Sequence, residues 1–197
     1  VNDLAQNSAA VSKTAAAQPF DTRKAPSVSS VVVSDTLISD ADVGVAKPKL
    51  TVTVTYDEPM KQTVIPAITL DPAIATTAEL NAGESKWSSS TVYVATYNVK
   101  DANVEVADVK VTVTGGQDLV GNIQAAYGPA TGLKVDTLNP TITITDNVDA
   151  TVAIAPVTFT FKFSEKVSAF SSDLITVTNG TKGTLTTVKE GEEYTLV

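Results

Sequence analysis

The chain has 197 residues, 43% of them apolar, and a formal charge of −8 from 14 basic and 22 acidic side chains, with neither Cys nor His. That composition supports a packed core. It excludes disulfides, thiol nucleophiles, thiolate zinc sites, imidazole metal ligands and any Ser-His-Asp triad. The acidic balance argues against nucleic acid and anionic membranes as partners, and no run approaches the roughly 18 apolar residues of a membrane span.

In chain order, the opening "VNDLAQNSAA" lacks the basic start and apolar run of a signal peptide, so an export signal is expected outside this sequence. Strands then follow by alternation. In "LTVTVTY" (50–56), Leu50, Val52, Val54 and Tyr56 share one face and three Thr the other. "TVYVATY" (91–97), "VKVTVT" (109–114), "TITIT" (141–145), "VTFTFKF" (157–163) and "DLITVT" (173–178) keep the same period. Period-2 patterning predicts sheets with one buried face, and Gly115-Gly116, Asn179-Gly180 and scattered Pro supply the turns. No amphipathic helix longer than a turn or two is evident. The expected fold is all-β: tandem immunoglobulin-like β-sandwich modules of Greek-key type, about seven strands each.

A repeat supports the tandem reading. "DLAQN" (3–7) is matched by "DLVGN" (118–122) and "FDT" (20–22) by "VDT" (135–137), both at an offset of 115 (118 minus 3, 136 minus 21). Residues 1–25 are therefore read as the tail of a preceding module, 26–135 as a complete module and 136–140 as a linker. Residues 141–197 are read as a module lacking its last strands. A period above 100 residues lets each unit hold its own core. The spare N-terminal strand and the open last module lead to a further expectation, strand exchange between molecules, head to tail.

The stretch from Val135 to Val197, with its "DT" linker, "FSE" at 163–165 and "DLITVTNGT" at 173–181, resembles the tandem bacterial immunoglobulin-like domains of giant secreted adhesins of the RTX and biofilm-associated kind. The central module is a looser match, with "YDEPM" (56–60) in place of "FSE", a variant also met in surface-layer proteins and exported enzymes. The resemblance implies non-catalytic stalk repeats on a bacterial cell surface that project a distant binding domain, neighbouring modules being the immediate partners. Modules of a surface layer, or ancillary modules of a polysaccharide-degrading enzyme, are the alternatives.

Strand parity places Asp57, Glu58 and Asp118 at the pole where the chain enters the central module, beside Asp21. It places Asp35, Asp40, Asp42, Asp101 and Glu105 at the other pole, near Asp136, with Glu165 arriving from the next module. Two readings stand side by side. Acids in loops commonly serve turns by accepting backbone N–H groups. Alternatively the clusters hold Ca²⁺, a hard cation taking about 6–8 oxygens, and the resemblance implies calcium at such junctions. Glu58 and Glu165 occur one per module, without an opposing carboxylate, so no glycosidase pair is expected. Trp87, after a Gly- and Ser-rich turn, is read as a core anchor at a strand edge rather than a sugar platform.

Overall fold

The structure, a computed structural model, describes residues 25–44, 49–149 and 156–197. The chain divides after Thr137 into two compact units, each with its own core.

In the first unit, β1 (Val28–Val33), β3 (Leu50–Tyr56), β7 (Val92–Val99) and β5 (Ala78–Leu80) form one sheet in the order β1-β3-β7-β5, with β6 (Lys86–Trp87) also on β7. The facing sheet runs β2-β9-β8-β4, from β2 (Leu37–Ser39), β9 (Tyr127–Asp136), β8 (Glu105–Thr114) and β4 (Ala67–Asp71). All neighbours are antiparallel except β2 and β9, which pair in parallel. The first strand is thus divided: β1 lies in one sheet, and after Ser34–Thr36 the chain continues as β2 in the other. This is an immunoglobulin-like β-sandwich, as the alternation predicts.

The core follows from the period of two. Along β3, Leu50, Val52, Val54 and Tyr56 are buried and the intervening Thr half-buried. Val109, Val111 and Val113 of β8 and Leu133 and Val135 of β9 face them from the other sheet. Each such side chain removed from water is worth about 1.5–3 kcal/mol. Trp87 closes one edge of this core. Its ring packs tilted on Tyr56 at 5.7 Å and edge-on to Tyr93 at 5.4 Å, and Nε1 donates to the Val64 carbonyl. Trp87 is a core anchor, its polar edge satisfied by backbone. Burial pushes the Tyr97 hydroxyl up to about 12 and raises Tyr56 further still.

The second unit, described by itself, contains β10 (Ile142–Asp146), β11 (Phe159–Phe163), β12 (Leu185–Lys189) and β13 (Glu193–Leu196) in one sheet, ordered β10-β11-β13-β12. Relative to chain position this is the order of the β1-β3-β7-β5 sheet. Phe161, Tyr194 and Leu196 are buried, with Phe159, Phe163 and Phe170 packed around them.

One predicted strand is corrected. Residues 173–178 do not form a ladder: Ser172–Leu174 is a single 3₁₀ turn and Ile175 is extended but unpaired. In the first unit the corresponding strand, β4, pairs only with β8. No counterpart of β8 lies among the described residues of the second unit, so the alternation of Ile175 and Val177 has nothing to bond to. Both still pack on the second core. Helix among the described residues is limited to two three-residue 3₁₀ turns, the other at Asp40–Asp42. No described helix is long and apolar enough to cross a membrane.

Candidate functional site

The loops between β3 and β4 and between β8 and β9 meet at one pole of the first unit. Met60 bridges to Asp118, and Lys61 N donates to the Gln117 carbonyl. The incoming chain is tied to the same place, since Ala125 N donates to the Pro26 carbonyl. Asp57, Glu58 and Asp118 lie on the loops of this pole. Asp21 lies outside the described residues.

Each aspartate here accepts from backbone N–H groups. Asp57 accepts from Ser27 N at 2.8 Å and from Ser27 Oγ at 2.6 Å, while its own N–H donates to the Ser27 carbonyl. That clip fixes the first residue before β1 to the end of β3. Asp118 is more deeply engaged, at 2% exposure. Its Oδ1 accepts from Val120, Gly121 and Asn122 N at 3.0, 2.7 and 2.8 Å, and its Oδ2 accepts from Asn122 Nδ2 at 2.7 Å. Gly121, at φ 101°, supplies the left-handed residue that the turn requires. Burial pushes the Asp118 carboxyl up, but the bonds from Asn122, Gly121 and Val120 outweigh it and hold the group below its ordinary value. Glu58 is half-buried beside this cluster.

Beneath the turn lies a polar knot that alternation does not reveal. Gln124, 5% exposed, accepts at Oε1 from the Tyr56 hydroxyl (2.7 Å) and Gly116 N (3.1 Å), and donates from Nε2 to the carbonyls of Val113 and Ala125. A Cβ at Gly116 would stand 2.5 Å from Gln124 Oε1, so glycine is the residue that fits. The glycine pair reads as a simple turn from sequence, and only the approach of Tyr56 and Gln124 shows its second role.

At the other pole the acids again serve the backbone. Asp35 accepts from Leu37 N at 2.9 Å, and Asp101 from Asn103 N at 2.8 Å. Asp42 accepts from Ser39 N and Oγ at 2.9 and 3.1 Å. Asp40 is exposed in the 3₁₀ turn. Asp136 ends β9, opposite Glu105 on one side and Ser39 on the other. Asp42 and Asp101 line one cleft, but Lys49 and Lys100 line it with them. Those lysines pair in turn with Glu84 and Glu79. Alternation of acid and base, invisible in the linear charge count, disperses the negative charge at this end. Glu165 belongs to the second unit, half-buried after β11, with Oε1 buried and without a hydrogen-bond partner in the described structure.

Among the described residues no group of three or more carboxylates is close enough to hold a metal ion. A calcium site needs several oxygens aimed at one point, whereas those of Asp57 and Asp118 are aimed at N–H and O–H donors.

The fold and its loop chemistry define an immunoglobulin-like β-sandwich whose acids, among the described residues, form no metal-binding group. Residues 136–197 match the family model described as a bacterial Ig-like domain. Domains of that family are generally non-catalytic and typically lie outside the cell. No curated protein and no solved structure matches the chain.

Proposed function

We propose that the chain is a load-bearing spacer: successive immunoglobulin-like modules of an extracellular bacterial surface protein, an adhesin stalk, that hold a more distant binding part away from the cell. The observation that carries this reading is how the chain threads the first unit. It enters at the pole of Ser27 and Asp57 and leaves at the opposite pole through Asp136, with β2 and β9 parallel and side by side. Leu37, Ile38 and Ser39 face Lys134, Val135 and Asp136 in register, and Lys134 N donates to the Thr36 carbonyl. Tension applied through the two ends draws β2 and β9 in opposite directions along their own axes. Their hydrogen bonds are then sheared together instead of opening one after another. A unit so threaded adds roughly the length of its ten-residue last strand, about 33 Å, to the reach of the chain. Pulling through Pro26 and Thr137 is expected to unfold the first unit at high force in one step.

Stiffening of the joints by Ca²⁺ is the second part of the proposal. It rests on the exposed carboxylates of Asp40 and Asp136 in the first unit, on Glu165 with its unpartnered oxygen in the second unit by itself, and on the sequence reading of Asp21. A thermal melt with calcium and with chelator tests it: calcium 100-fold above its dissociation constant stabilises by about 2.7 kcal/mol. An upward shift lost on Asp136→Ala is the expected result. Identical melts in calcium and chelator remove calcium from the account and leave the load-bearing reading standing.

A further inference from the structure

The sheet of the second unit has two edges, and they are built differently. At one, β12 carries a register shift between Thr187 and Lys189 and ends on that lysine. Bulges and lysines are common protection of an edge against pairing with another chain. β1, an edge strand of the first unit, likewise carries a shift, between Val28 and Ser30. At the other edge, β10 pairs with β11 in unbroken register from Ile142 to Asp146, and all of its residues are exposed. No described strand lies on its far side, and residues 137–145 carry no charge.

The backbone of that edge is open in a definite pattern. Ser164 N donates to the Thr141 carbonyl, while Phe163 N turns the other way, to Glu192. Direction alternates along an antiparallel ladder, so Thr141, Thr143 and Thr145 turn their backbone groups to β11, and Ile142 and Ile144 turn theirs outward. The sequence of this edge, Thr141-Ile142-Thr143-Ile144-Thr145, reads the same in both directions about Thr143. An antiparallel copy centred there meets its own match. Ile142 stands opposite Ile144 of the copy and Ile144 opposite its Ile142, each pair exchanging backbone hydrogen bonds, with Thr143 on the two-fold axis. Ile142 and Ile144 share a face with Phe163 and Phe161, their partners on β11, and are 44% and 54% exposed. Pairing about that axis keeps this face on one side in both copies and brings the isoleucines together.

We propose that β10 is a self-recognition strand, through which two copies of this chain pair their second units edge to edge into one continuous sheet. A seam of one strand pair is a small interface, so the association is weak and reversible. Thr143→Glu separates the seam from the fold. Within the unit the new carboxylate faces Lys162, the β11 partner of position 143; across the axis it faces its own copy. Sedimentation of the full chain is expected to show a monomer–dimer equilibrium, weakened about tenfold or more by Thr143→Glu with the melting temperature unchanged. The chain has no cysteine, so Thr143→Cys reports on the axis directly. A pair across the axis lies within disulfide reach, and is expected to link two copies about tenfold faster than Thr186→Cys, exposed on β12. A chain that stays monomeric up to about 1 mM overturns the proposal. So does a dimer that Thr143→Glu leaves intact, or equal rates of linking at the two positions.

Discussion

Asp118→Ala is expected to lower the stability of the first unit by about 3 kcal/mol, a large effect for one loop residue. The substitution removes the acceptor of three backbone N–H groups and one side-chain amide at once, in a turn whose aspartate is almost fully buried. Water can reach part of the opened turn, which keeps the loss below the sum of four charge-assisted bonds. Asn122→Ala, which removes only the contact at Oδ2, is expected to cost about 1 kcal/mol. The effect carries a pH signature. The carboxyl is held below its ordinary value, so its stabilisation is complete above about pH 4 and fades as the pH falls through the folded value. The gap between wild type and variant in urea denaturation should therefore be full at pH 7 and narrow in acid. A loss well under 1 kcal/mol at pH 7 would contradict the clamp, since the turn would then be holding itself.

Gly128→Ala strikes the sandwich itself. A Cβ there would lie 2.4 Å from the Val111 carbonyl oxygen, and the residue has φ 92°, a conformation that L side chains avoid. Overpacking against backbone and left-handed strain each cost about 1–3 kcal/mol, so a combined loss of about 4 kcal/mol is expected. Gly132 is similarly confined, 2.5 Å from Val111 Cγ2, whereas Gly44 and Gly83 meet nothing closer than 3.5 Å. Gly83→Ala is therefore the matched control, with little change expected. Equal midpoints for the variants at 128 and 83 would show that β8 and β9 are not so closely apposed.

The same glycines explain which elements are legible in the sequence. β3 is readable to the residue, because Leu50 to Tyr56 alternates strictly and both of its sheet neighbours are present. β9 is hidden, since "YGPATGLKVD" carries two Gly and a Pro that look like turn punctuation, yet the glycines are there to admit β8. β2 is three residues long and carries no period. Residues 173–178 err the other way: their alternation describes a face, but a strand also needs a partner, and pairing is a property of the fold.

The acidic sites divide along a similar line. Parity brings Asp57 and Asp118 to one pole because it depends only on strand count. What the carboxylates bind there depends on donors supplied by Ser27, Gly121 and Asn122. The signal for Asp118 was present in "DLVGN", where Gly and Asn follow Asp at the spacing of a closed turn, whereas nothing in "YDEPM" points to Ser27 as the partner of Asp57. Lys49 and Lys100 come from segments far apart in the chain, so their place among the acids of the other pole could not be read from charge order.

The most direct measurement of the load-bearing account is to pull the first unit in two directions. Attached at Pro26 and Thr137, the force shears β2 against β9. Attached at Asp101 and Asp136, at one pole, it unzips β8 from β9 beginning at the Glu105–Asp136 pair. The account predicts a force several times higher for the first attachment, with a single event releasing roughly 110 residues, about 350 Å of chain. Equal forces in the two directions would mean that the parallel pair bears no special load, and would contradict the spacer function proposed for this fold.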